Sequence, residues 1–261
     1  MPPPAVMELG DLPEKLCVLL ALPRSGTTLV TSMFAVHSQF VASYEPWNSK
    51  VLDTAPDADP RISTLIARDR IGSVAGKTLF VKETAVDSDY IRAVRRLYEH
   101  APYPVERHSI FLLRDLDHTL LSEVDRRNEW WNDNVTLNRD FIGTWARNRG
   151  TTLWQIVEFA LSANSLVVAF EEVAARPEQV MRELADRIGF HFEREQLEYE
   201  KHMGAQRPRG DLNVSRSPEK IDLGRATARH DKIGALKAMI AGTAAASWFE
   251  ACRALHAHVI G

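Results

Sequence analysis

An unbroken apolar run, Leu16-Cys17-Val18-Leu19-Leu20-Ala21-Leu22, leads straight into Pro23-Arg24-Ser25-Gly26 and then into Thr27-Thr28-Leu29-Val30. A short apolar run closed by a turn signal reads as a strand buried on both faces, as parallel sheets require. From Thr27 to about Val36 the residues Leu29, Val30, Met33 and Phe34 fall on one helical face. The chain is thereby restricted to folds in which a helix opens at the carboxyl end of a buried strand.

The same alternation continues downstream. Apolar runs at Thr78–Lys82, Ser109–Arg114 and Ser165–Phe170 read as further strands. Residues 53–70 are polar and then helical. Helical patterns cover 88–100, His118 to Arg127, 138–163 and Pro177 to Ile188, with a helical tail over 231–258. Pro177 suits a first helical turn, and Gly189 suits the position just past a helix end. The expected fold class is α/β, a P-loop-like parallel sheet flanked by helices. With 261 residues, 45% of them apolar and 26% charged, one domain over 1–261 accommodates it. Residues 1–15 read as a loose lead-in, and 128–150 and 204–232 as substrate or cofactor loops.

The segment Ala21 to Thr28 carries the strongest site signal. Amides at a helix N-terminus lack internal partners, and the helix dipole favours an anion there. Gly26 lets the backbone approach a ligand. Ser25, Thr27 and Thr28 bring hydroxyls, and Arg24 brings a permanent charge on a planar fork. Against G-x-x-x-x-G-K-[ST], Gly26 and Thr28 match, but Ala21 stands for the first Gly and Thr27 for the Lys. Without that Lys a P-loop kinase of a small metabolite is the weaker reading. A nucleotide-binding module without catalysis is a third.

Pro23-Arg24-Ser25-Gly26-Thr27-Thr28-Leu29 resembles the 5'-phosphosulfate loop, P-[KR]-[SA]-G-[TS]-[TS], of sulfotransferases that use 3'-phosphoadenosine 5'-phosphosulfate (PAPS). In that family an Arg ends a strand and a Ser follows eight residues later, and the two hold the 3'-phosphate. Phe111-Leu112-Leu113-Arg114 and Ser122 repeat that arrangement. Ser122 lies two helical turns beyond Arg114, which puts it on the same side. Val167-Val168-Ala169-Phe170-Glu171-Glu172-Val173, with Pro177 and Ile188-Gly189, is similar to a third family segment, in which Tyr stands where this chain has Phe170. The resemblance spans about residues 16–190. It implies the sulfotransferase fold and transfer of a sulfuryl group from PAPS to a hydroxyl or amine of a small acceptor, with release of 3'-phosphoadenosine 5'-phosphate (PAP). It implies cofactor contacts from Arg24, Ser25, Gly26, Thr27, Thr28, Leu29, Arg114, Ser122 and, in the late loop with Arg216 and Gly224, Arg225.

The reaction needs a base for the acceptor and positive charge for the leaving phosphate. Arg24 suits the second task. The family's K-T-H stretch corresponds to Lys82-Glu83-Thr84, so Thr84 stands where the usual His would be. Lys82 is the expected contact to the sulfuryl group. Glu45, in Tyr44-Glu45-Pro46-Trp47, is the first candidate base, because some bacterial relatives use a Glu in such a context. A carboxylate serves if burial raises its pKa. Glu83 and His37 follow. Leu29 and Trp47 are candidates for the adenine surround, and Trp130 and Trp131 for an acceptor wall.

The net charge of -3 argues against nucleic acid as a partner. The His residues show no metal-ligand spacing, and the chemistry calls for no metal. Cys17 and Cys252 read as two buried free thiols. The start of the sequence shows no signal-peptide pattern and no long apolar run. A cytoplasmic protein is the expectation, with no membrane partner and with a homodimer compatible with it.

Overall fold

The computed structural model describes residues 9–47, 62–69, 71–84, 88–128, 134–202 and 230–260. Within them lie β1 (Lys15–Ala21), α1 (Thr27–Ala35), β2 (Phe40–Tyr44), α2 (Ile62–Asp69), β3 (Thr78–Thr84), α3 (Ser88–Glu99), β4 (Glu106–Leu113), α4 (Leu116–Arg126) and α5 (Arg139–Ser162). They continue with β5 (Leu166–Ala169), α6 (Phe170–Ala175), α7 (Pro177–Ile188), α8 (Tyr199–His202), α9 (His230–Ala241) and α10 (Ala246–Ile260). The described strands form one five-stranded sheet in the order β2-β3-β1-β4-β5. Every pairing is parallel.

The period of two along each strand sorts the core into two layers. Leu16, Val18, Leu20, Leu79, Val81, Phe111 and Leu113 face α3, α4, α5, α9 and α10. Cys17, Leu19, Ala21, Phe80, Ile110 and Leu112 face α1 and α7. Covering both faces is the condition that made β1 a continuous apolar run. Phe34 of α1 stacks on Phe80 with ring centroids 4.4 Å apart. Cutting such a side chain to Ala costs about 3–5 kcal/mol. Cys17 and Cys252 are buried free thiols, as expected.

Several helix limits agree with their local signals. Pro177 opens α7 and Gly189 closes it at φ 77. Lys15 Nζ donates to the Ile188 and Gly189 carbonyls at 2.7 and 2.9 Å, which ties the start of β1 to that helix end. Four readings change. β2 was not expected: Phe40-Val41-Ala42-Ser43-Tyr44 is a sheet edge, only partly buried, and its apolar run is just Phe40 to Ala42. The tail is two helices separated near Gly242 and Thr243. Residues 139–150, assigned by the sequence both to a helix over 138–163 and to a loop over 128–150, are the start of α5. The described part of the lead-in is anchored, for Glu14 N–H donates to Lys77 O at 2.9 Å and its carbonyl accepts from Glu106 at 3.1 Å. No described helix is long and apolar enough to cross a membrane.

Candidate active site

β1 lies inside the sheet between β3 and β4, and the chain leaves it for one side before returning to the other. In open α/β sheets the crevice at the carboxyl end of such a strand is where ligands bind. The turn there is tight: Ser25 N–H reaches Leu22 O at 3.4 Å. Arg24 adopts φ 69 and Gly26 φ 86. A left-handed Arg costs on the order of 1 kcal/mol, and such strain persists where surrounding structure over-determines it. Gly26 is required twice. Its backbone is left-handed, and a β-carbon on it would lie 3.1 Å from Phe170 Cγ and closer still to Cδ2 and Cε2. Gly26 caps α1 without a side-chain hydrogen bond, so the first-turn amides remain available to a ligand.

The second component comes from β4. Arg114 directly follows that strand, and the next residue, Asp115, caps α4 by accepting from His118 N at 3.0 Å. One Arg114 terminal nitrogen donates to the Arg24 carbonyl at 2.8 Å. Its guanidinium lies 4.6 Å from the centre of the Phe170 ring. Arg24 Nε donates to Ser122 Oγ at 3.2 Å, across 98 residues of sequence. Arg24, Arg114 and Ser122 thus form one polar cluster, with Phe170 as its apolar floor. The sequence assigns Phe170 no site role. Its correspondence to the family's Tyr was the signal that could have placed it here.

The third component comes from the ends of β2 and β3. Glu45, at φ 47, bonds by its N–H to Lys82 O at 2.8 Å. Its Oε1 accepts from Lys82 Nζ and from Thr84 Oγ1, the latter at 2.8 Å. Thr84 Oγ1 lies 3.3 Å from Thr27 Oγ1, so a hydroxyl chain joins the carboxylate to the start of α1. The Lys82 side chain is 3% exposed and that of Glu45 28%, so the ammonium is inside and the carboxylate meets solvent.

Strand alternation sends Glu83 the other way. It is 1% exposed, and its two oxygens accept from Trp47 N at 3.2 Å and Thr84 N at 3.1 Å. Burial, then the nearby Glu45 charge, raises its pKa to about 8, against the amides and Lys82, which favour the charged form. Glu83 thus fixes the backbone beneath the site, while Glu45 is on the side of the loop.

Ser25 and Thr27 are buried in the turn, and Thr28 is partly exposed. The Leu29 side chain belongs to the core beside Val30 and Met33, leaving only its backbone toward the loop. Trp47 is likewise core, on the opposite face. His37 lies past the far end of α1, roughly 14 Å along the axis from its start. Its Nε2 donates to His191 O at 2.6 Å and its Nδ1 accepts from Gln39 N at 3.0 Å. Burial lowers its pKa. His37, His191 and Glu193 lie near enough to share an ion, but both His37 nitrogens are engaged, which makes the group a packing lock. Trp130, Trp131, Arg216, Gly224 and Arg225 lie outside the described residues.

No family model and no curated protein matches this sequence. Solved structures do match its fold. The sulfotransferase domain of the Synechococcus PCC 7002 olefin synthase superposes with a TM-score of 0.55 at 16% identity, over 85% of this chain and 89% of that one. The sulfotransferase domain from the curacin biosynthetic pathway gives 0.52 at 20% identity, over 78% and 83%. Mouse sulfotransferase SULT7A1 complexed with PAP gives 0.51 at 12% identity, over 72% and 63%. The chain therefore has the sulfotransferase fold, the α/β architecture that its sequence led us to expect.

Proposed function

We propose that this chain is a PAPS-dependent sulfotransferase that transfers a sulfuryl group to a hydroxyl or amine of a small acceptor. The observation that carries the reading is the Arg24–Ser122 hydrogen bond together with the Arg114–Arg24 contact. Residues that the family resemblance assigns to the two ends of one nucleotide, distant in sequence, meet at the mouth of the central strand. The donor-fold neighbour that carries PAP supports the same choice of nucleotide.

The residues divide the work as follows. Arg24 and the amides from Gly26 to Leu29 hold the 5' end and stabilise charge on the leaving phosphate, aided by the α1 dipole. Arg114 and Ser122 hold the 3'-phosphate by a charge-assisted bond and a hydroxyl bond. Glu45 takes the acceptor proton as the acceptor atom bonds to sulfur, and Lys82 steadies both Glu45 and the sulfuryl oxygens. The nucleotide supplies the sulfuryl group and leaves as PAP, with the electrons of the broken S–O bond kept by its 5'-phosphate. Glu83 is the alternative base, and its place on the opposite sheet face favours Glu45. Arg225 remains a further candidate for the 3'-phosphate. The scheme calls on no metal ion. A cytoplasmic setting suits two buried reduced thiols.

Calorimetric titration with PAP, with ATP and ADP plus magnesium as comparisons, tests this reading. Magnesium-independent binding that requires the 3'-phosphate is the expected result. Preference for ATP with an absolute need for magnesium would overturn it in favour of a kinase.

A further inference from the structure

The last helix reaches the donor site from behind. α10 carries Arg253 and His256 on one side, a turn apart. Arg253 grips Asp117 of α4 with two bonds, Nε at 3.0 Å and a terminal nitrogen at 2.9 Å. Asp117 is 1% exposed, so this pair is a buried polar attachment of α10 to α4. His256 Nε2 donates to Glu171 Oε2 at 2.7 Å. The other Glu171 oxygen accepts from Asp115 N at 3.2 Å. Glu171 has Phe170, the floor beneath Gly26 and Arg114, as its chain neighbour, and Asp115 is the neighbour of Arg114 itself.

Resting on the nucleotide site proposed above, we infer that His256 is a positioning residue for it, holding Phe170 and Arg114 in place through the two-sided carboxylate of Glu171. His256 touches no ligand in this scheme. It fixes the rotamer of Glu171, and Glu171 fixes the backbone amide at which Arg114 leaves β4. A guanidinium that must meet a phosphate within a few tenths of an ångström depends on such supporting contacts. α10 is thus part of the nucleotide site, although none of its side chains lines it.

The clamp depends on charge. The bond from Glu171 raises the His256 pKa against the effect of burial, and the Glu171 and Asp115 charges add to the rise. Burial pushes the Glu171 pKa up, but the His256 hydrogen bond, the Glu171 amide, the His256 charge and the Asp115 amide together outweigh it and leave it lowered. Arg253, Asp117, Arg114 and Glu250 are further charged groups near this junction among the described residues. A raised His pKa contributes fully below its unfolded value and is lost as pH climbs through its folded value. A lowered Glu pKa contributes above its unfolded value and is lost as pH falls through its folded one. Donor binding is therefore firmest between the two and loosens on the alkaline side.

PAP is titrated calorimetrically between about pH 6 and 9, the span around histidine titration, into the wild type, His256→Gln and His256→Ala. Hydrogen exchange of the nucleotide-free 22–28 segment, corrected for intrinsic rates, is followed in the same proteins. The wild type is expected to lose affinity several-fold as pH rises. His256→Gln, whose amide keeps a neutral donor, should bind with little pH dependence. His256→Ala should bind about tenfold more weakly at the acid end, the scale of one charge-assisted bond, and its 22–28 amides should exchange faster. If His256→Ala folds poorly, Glu171→Gln, which keeps the volume and removes the charge, replaces it with the same expectations. Unchanged affinity, pH profile and loop exchange would overturn the inference. Failure of the wild type to bind PAP at any pH would sink the nucleotide reading instead, and loop exchange would then decide the clamp alone.

Discussion

The Phe170 ring occupies the space that a β-carbon on residue 26 would need. Gly26→Ala must therefore displace that ring and also force an alanine to φ 86. The two costs together are on the order of 3 kcal/mol. A thermal melt should show a loss of roughly 6–12 °C for a chain of this size, with nucleotide binding abolished. Adding Phe170→Ala should relieve only the steric share, which a double-mutant cycle measures. A Gly26→Ala protein that melts and binds like the wild type would refute this account of the loop.

Arg114→Ala should weaken PAP binding by about 10- to 100-fold, the range of a lost charge-assisted contact. The effect on a nucleotide without a 3'-phosphate should be much smaller. Arg114→Lys keeps the charge but loses the fork that bonds the Arg24 carbonyl and lies over Phe170, so it should recover only part of the loss. Equal losses for both nucleotides, read by calorimetry, would remove Arg114 from the 3'-phosphate.

Glu45→Gln should lower kcat by about 100- to 10,000-fold, the usual contribution of a general base, while PAP affinity stays near that of the wild type. Thr84→Val, which removes one of the hydroxyls orienting the carboxylate, should give a smaller loss in kcat with KM for the nucleotide unchanged. Steady-state kinetics with any accepted acceptor checks both. Full activity in Glu45→Gln would turn the search for a base to Glu83.

Glu83 makes stability depend on pH in a direction unusual for a carboxylate. Its folded pKa is raised to about 8, so the folded state holds this proton more tightly than the unfolded chain. Its contribution is full below the unfolded value and is lost as pH rises through about 8. Denaturant melts should show stability falling over that interval. Glu83→Gln, an imitation of the protonated form, should flatten the trend and match or exceed the wild type above about pH 8. An identical pH dependence in the two proteins would exclude Glu83 as its source.

Much of this architecture is legible because burial on both faces forces apolar continuity. β1, β3 and β4 announce themselves in that way, and Pro177 and Gly189 mark α7 at both ends. β2 is faint, since Phe40-Val41-Ala42 is too short a run to stand out, whereas β5, the other edge, shows itself through Leu166 to Ala169. In the site, Arg24, Gly26, Arg114 and Ser122 are readable because an anion loop and a strand-end Arg have local grammar. The place of Phe170 beneath Gly26 is not, because it depends on how β5 lies against β4. Nor is the contrast between Glu45 and Glu83: both are acidic neighbours of Lys82, one through space and one along the chain. Only the facing of β3 separates them.

That facing has a consequence for how the gene can change. In β3, Lys82 and Thr84 serve the reaction side while Glu83 braces the other, so the strand has a reading frame of two. Deleting one residue upstream within it would bring a second carboxylate opposite Glu45 and drive an ammonium in beneath Trp47. On the N-terminal side of β3, length variation is better absorbed before Thr78, where the chain turns at Gly76, φ 66. Single-residue insertions and deletions inside Thr78–Thr84 should be missing from any library selected for activity, even where many side-chain exchanges there survive.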